Sequence, residues 1–202
     1  MLREMPARIG HHGGIWLSGL GWAVFAALAM AMPCDPVRRA CLLAAVAVLG
    51  ERLYFNILRP LRLRRPGGVC RDPTAVAVAS AQIVFVYLLG IEAYLSVRPV
   101  SLPAGAAGCA LVAAGVALRW WAVGALAGQW TVSVAPGAET PMADRALVER
   151  GPYRHVRHPI YVGVLLETAG LAALLQAWWA LVFALAVCLP AQLYRISVEE
   201  QS

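Results

Sequence analysis

Two short stretches hold the side chains able to do chemistry. In GPYRHVRHPIYVG, residues 151–163, Arg154, His155, Arg157 and His158 fall within five positions, flanked by Tyr153 and Tyr161. In the second, RISVEE, Arg195 stands four residues before Glu199, with Glu200 beside it. Pro159 lacks a backbone N–H and suits the first turn of a helix, so His158 is expected at a helix start. The unpaired N–H groups and positive dipole end there favour an anionic group. Tyr161, three residues on, shares the face of His158. Together the two stretches offer carboxylates for an ammonium and Arg or His for a carboxylate, a set suited to a zwitterion. His155 and His158 have a metal-compatible spacing but no third ligand accompanies them, and no metal is expected.

These side chains need elements that bring residues some 40 apart together. Of the 202 residues 60% are hydrophobic and 14% charged, against about a quarter charged in soluble domains. The expectation is an all-α, polytopic membrane bundle forming one domain over 1–202. Apolar spans are predicted at 13–34, 38–58, 74–96 and 102–128. From Pro159 to Tyr194 run 36 residues whose only charge is Glu167. At about 1.5 Å per residue that is far longer than one crossing. A hairpin bent near 175–179 divides it into two short arms, giving five to six transmembrane helices in all and returning Arg195, Glu199 and Glu200 to the end that carries His158.

All 17 basic residues are arginine and the net charge is +6. Arg between apolar segments is what the positive-inside rule produces, so nucleic acid is not the expected partner. With the N-terminus inside, twelve Arg lie on the cytoplasmic side (Arg3, Arg8, five in 59–71, four in 145–157 and Arg195) and three outside. The all-Arg usage points to a bacterial inner membrane. Five scattered cysteines without a CxxC pair indicate neither zinc nor a disulfide framework. The apolar run from Gly13 is too long for a cleavable leader.

Several intramembrane groups have their own readings. Glu167, nine residues beyond His158, falls on the opposite side of the helix, nearer Gly163 and Gly170. Glu51 and Glu92 lie within spans, where ionisable groups are costly and often functional; Glu51 is expected to neutralise Arg52 or Arg119. Gly105 and Gly108, with Ala104 and Ala107, suit close helix packing. Trp120, Trp121, Trp130, Trp178 and Trp179 suit the membrane interface.

The run ALVERGPYRHVRHPIYVG followed by RISVEE resembles the isoprenylcysteine carboxyl methyltransferase family, broadly with the phospholipid methyltransferases. Its pattern is LV-x-x-GPYR-x-x-RHP-x-Y-x-G and, about 35 residues later, RI-x-x-EE; the close likeness covers 146–200. The resemblance implies an integral membrane enzyme that transfers a methyl group from S-adenosylmethionine to a lipophilic acceptor, with S-adenosylhomocysteine as product and the catalytic part at about 119–202. Carried over by position, cofactor contacts fall on Arg145, Ala146, Leu147, Val148, Tyr153, His158, Pro159, Ile160 and Tyr161. Glu199, with Glu200, takes the methionine ammonium, and Arg195 orients the substrate. A carboxylate acceptor needs no base; for an amine or phenol, His158 and Glu167 are the groups to examine. The family pattern usually continues past Glu-Glu with a helix holding a Gly and paired Tyr, whereas this sequence stops at Ser202, where fraying is expected. Prenylated cysteine is the family's name substrate; a phenolic lipid, a phospholipid amine, a small thiol or an isoprenoid acid suits the site equally. Two other readings stand beside this one. One is a membrane reductase of the sterol-reductase type using NADPH, the other a non-catalytic scaffold or sensor.

Overall fold

The computed structural model describes residues 19–20, 22–27, 29–31, 34, 36–54, 73–96, 99–126 and 149–201. Nearly all of the loop between the expected spans at 59–73, ten of the 22 residues of the span at 13–34 and most of the polar stretch at 129–157 lie outside them. Prolines open four of the helices. Helix α1 is Pro36–Leu53, α2 is Pro73–Leu95, α3 is Leu102–Leu126 with Pro103 second, and α4 is Pro159–Leu175. A missing N–H is harmless in the first turn, and the fixed φ is already helical. Helix α5 is Trp178–Gln201, and a shorter apolar helix, Trp22–Ala31, precedes α1. Among the described residues there is no strand.

Helices α2, α3 and α5 are long and apolar enough to cross a membrane, while α4 is a shorter apolar helix. The C-terminal hairpin bends where expected. Gln176 ends α4 in the left-handed conformation, φ 53°, and its N–H bonds back to the carbonyls of Ala172 and Ala173. Of the two arms expected to be short, α4 has 17 residues and α5 has 24, because the helix continues through RISVEE. Within α5 a five-residue π-helical turn, Ala184–Cys188, precedes Pro190, and the Leu189 N–H reaches back to the Ala184 carbonyl. The wider turn sits beside a proline that cannot donate a hydrogen bond.

The tightest packing joins α3 to α4, antiparallel, through glycines. A Cβ on Gly115 would stand 2.6 Å from the Gly163 carbonyl oxygen, and one on Gly170 would stand 2.7 Å from the Val112 amide. One on Gly108 would strike the Leu174 backbone. Without Cβ atoms the two backbones touch directly. Gly105, expected to take part, instead faces Val100 at 3.4 Å; Gly115 takes its place.

The turns at one end of the bundle are tied to each other. Glu92 accepts hydrogen bonds from the backbone N–H groups of Trp179 (3.1 Å) and Ala180 (2.9 Å), capping the start of α5 from a neighbouring helix. Gln176 Nε2 donates to Ser101 Oγ at 2.9 Å and its Oε1 accepts from the Ser101 amide at 3.3 Å. Arg38 donates to the Ala93 carbonyl. Glu92 is therefore a helix cap in this fold. The other end, formed by the C-termini of α3 and α5 and the N-termini of α2 and α4, holds the residues of interest.

Candidate active site

The chain enters this end through a 3₁₀ turn, Gly151–Arg154. Gly151 has φ +63°, and a Cβ there would lie 2.9 Å from that of Ala125, so the position asks for glycine twice over. Arg150 Nε donates to the Ala125 carbonyl at 2.9 Å, fastening the turn to the end of α3. Tyr153 lies half-buried in this turn, and desolvation pushes its phenol up to about 12. It stays a neutral donor at any physiological pH, and among the described residues its hydroxyl makes no hydrogen bond to the cluster below. Arg154, His155 and Arg157 are exposed.

His158 is the residue before the first helical turn, and Pro159 follows in that turn, buried. The His158 and Tyr161 rings are 5.9 Å apart, centroid to centroid, as the three-residue spacing requires. Across from them, the last two turns of α5 deliver Arg195, Glu199 and Glu200. Arg195 Nε donates to the Tyr161 hydroxyl at 2.5 Å and lies 3.0 Å from Glu199 Oε1. The Tyr161 hydroxyl in turn donates to Glu199 Oε1 at 2.5 Å. His158 Nε2 is 3.1 Å from Glu200 Oε1, and its Nδ1 is 3.9 Å from Glu199 Oε2. Arg195 Nη1 reaches Thr74 Oγ1 of α2 at 3.4 Å.

Five of the expected site residues thus converge from helix ends 34 to 42 positions apart. Ile160 stands beside them in the first turn of α4, half-buried. Arg145, Ala146, Leu147 and Val148 lie outside the described residues. With a neutral imidazole the cluster has two carboxylates against one guanidinium. The surplus negative charge suits a cationic group, and the N–H groups of the first turn of α4 suit an anionic one.

Glu167 belongs to a separate, buried network. Its Oε2 accepts from Arg52 Nε at 2.6 Å and its Oε1 from Arg119 Nε at 2.8 Å, while Arg119 also pairs with Glu51. Arg52 further donates to Gln82 Oε1, the Val164 carbonyl and Thr168 Oγ1, each at 3.1 Å. Both carboxylate oxygens of Glu167 are held by guanidiniums and its side chain is fully buried, so the structure gives it no path to a reacting group. Its partners are arginines, with Gly115 and Gly163 leaving the room. The network balances two positive charges with two negative ones, as buried ions require. Sequence reasoning anticipated the Glu51–Arg119 contact and missed the bonds from Arg52 and Arg119 to Glu167. It also missed Gln192, one turn before Arg195 and buried, whose only sequence signal is an amide within an apolar run.

Residues 107–202 match the model of the isoprenylcysteine carboxyl methyltransferase (ICMT) family, the family that the double motif resembles. The match supports a membrane methyltransferase-like role for the segment that supplies the rest of α3, the 3₁₀ turn, α4 and α5. No curated protein and no solved structure matches the chain significantly.

Proposed function

We propose that the cluster at the common end of α4 and α5 binds S-adenosylmethionine, and that the protein methylates a lipophilic acceptor drawn from the membrane. The observation that carries this reading is the meeting of His158 and Tyr161 with Arg195, Glu199 and Glu200 within hydrogen-bonding distance. The donor set fits the cofactor's charges: Glu199 and Glu200 for an ammonium, and the start of α4 with His158 for a carboxylate. When bound, S-adenosylmethionine supplies an activated methyl group. The protein's part is mostly placement and exclusion of water. Tyr161 takes a hydrogen bond from Arg195 and gives one to Glu199, which fixes both charged groups. Arg195 is held from two helices, by Tyr161 on α4 and Thr74 on α2, and orients the acceptor. A carboxylate acceptor arrives ionised. For an acceptor that must lose a proton, His158 is the group left to examine, since both carboxylate oxygens of Glu167 are held by arginines. The arginine census favours a cytoplasmic setting for this end of the bundle.

The test is calorimetric titration of the detergent-solubilised chain with S-adenosylhomocysteine. We expect binding that His158→Ala and Glu199→Ala each weaken at least about tenfold, roughly one charge-assisted hydrogen bond. Unchanged affinity in both variants would sink this assignment of the site. Binding of NADPH in place of S-adenosylhomocysteine would transfer the protein to the reductase reading.

A further inference from the structure

Below the cluster, one face of α5 carries a line of polar side chains. Cys188, Gln192, Arg195 and Glu199 follow each other at four-, three- and four-residue steps, the spacing of a single helix face. The π-helical turn ends at Cys188, and this face is the one turned toward α2. Contacts that cross that seam include Cys188 Sγ to the Ala81 carbonyl at 3.6 Å and Arg195 Nη1 to Thr74 Oγ1 at 3.4 Å. Gln192 lies between them. Its side chain is fully buried, and among the described residues neither its Nε2 nor its Oε1 has a hydrogen-bond partner. Gln82, next to Ala81 on α2, also has an unpartnered buried Nε2.

A buried amide with both polar atoms unsatisfied is costly, and leucine would fill the same space without that cost. Gln192 is three residues from Arg195, about 4.5 Å deeper along the helix. A lipophilic acceptor whose reacting end is oriented by Arg195 would bring its neighbouring polar group to this depth. The amide states what that group must be. It has two N–H donors and one carbonyl acceptor. A carboxylate would satisfy the donors but set its lone pairs against Oε1. An ammonium would satisfy only Oε1, and a hydrocarbon neither. A hydroxyl or a secondary or primary amide satisfies both atoms.

We propose that Gln192 is a specificity-determining residue, which receives a neutral group able both to donate and to accept a hydrogen bond, a hydroxyl or an amide, on the lipophilic acceptor. This rests on the acceptor site assigned above and adds the chemistry that site selects. The neutral group need not be the methylated one.

The experiment uses the full chain in nanodiscs and four probes with one tail: hexadecanol, hexadecanamide, hexadecanoate and hexadecane, titrated from cyclodextrin. We expect the alcohol and the amide to bind about tenfold or more tighter than the other two, the loss attached to leaving a buried hydrogen-bonding group unpaired. In Gln192→Leu that preference disappears, while the melting temperature does not fall, since an unsatisfied polar group has been removed. A wild-type chain that does not rank the probes overturns the proposal. So does a Leu variant that keeps the ranking, which would leave Gln192 serving a buried water only. S-adenosylhomocysteine titrated into the same samples reads the cofactor site separately. Its failure to bind would remove the methyltransferase reading whatever the probes show, and the Leu variant is expected to keep wild-type affinity for it.

Discussion

At the scale of single residues, the two polar clusters have opposite logics. The one at the helix ends is half-exposed and charge-unbalanced, as a binding site is. The one around Glu167 is buried and neutral, as a structural brace is. Arg119→Met strips Glu51 of its cation and Glu167 of one of its two, and we expect a loss of about 3–5 kcal/mol in unfolding free energy. Adding Glu51→Leu removes both charges and is expected to recover roughly 1–3 kcal/mol of that loss. Denaturant titration of the single and double variants measures it; strictly additive losses would mean that the pair is not coupled. The site cluster was legible in sequence because Pro159 marks a helix start and an apolar run of 36 residues must fold back, which brings His158 and Glu199 together without further information. Glu167 was not. Its helix position excluded it from the site, but the arrival of Arg52 and Arg119 depends on which helices flank α4, and no local pattern encodes that.

At the scale of elements, backbone contact between α3 and α4 holds the half of the molecule that carries the site. Gly115→Val would drive a side chain into the Gly163 carbonyl and the Glu167 backbone, at 2.6 and 2.8 Å from the Cβ alone. Neither atom can move aside as a flexible side chain can. A loss of about 1–3 kcal/mol or more is expected, together with weaker S-adenosylhomocysteine binding because α4 supplies His158 and Tyr161. Gly124→Ala is the control, since nothing lies within 4 Å of its Cβ. Removing a helical glycine there is expected to raise the melting temperature slightly, by about 0.5–1 kcal/mol of stability. If both substitutions behave alike, close approach is not what the glycines provide. Helix starts were readable from their prolines, and the bend from the length of the run. The π-helical turn was not readable, since Pro190 announces a disturbance without saying how the chain absorbs it.

At the scale of the whole molecule, exposed aromatic side chains collect near both ends: Trp120, Trp121 and Tyr194 toward the site, Trp178, Trp179 and Tyr94 at the other. Such side chains seek the headgroup levels and fix where each end rests. Helix α5 joins the two levels in one piece. Glu92 grips its first turn through two backbone N–H groups, and Tyr161 and Thr74 grip Arg195 near its last. Its 24 residues span about 36 Å, so a thinner or thicker bilayer must tilt the helix or pull against one of its two grips. Reconstituted in a series of phosphatidylcholines of increasing chain length, the protein is expected to bind S-adenosylhomocysteine most tightly at one matched thickness and several-fold more weakly on either side. A flat response would mean that the grips slip independently. A helix clamped at both faces of the membrane is a caliper, and here one of its jaws is the binding site.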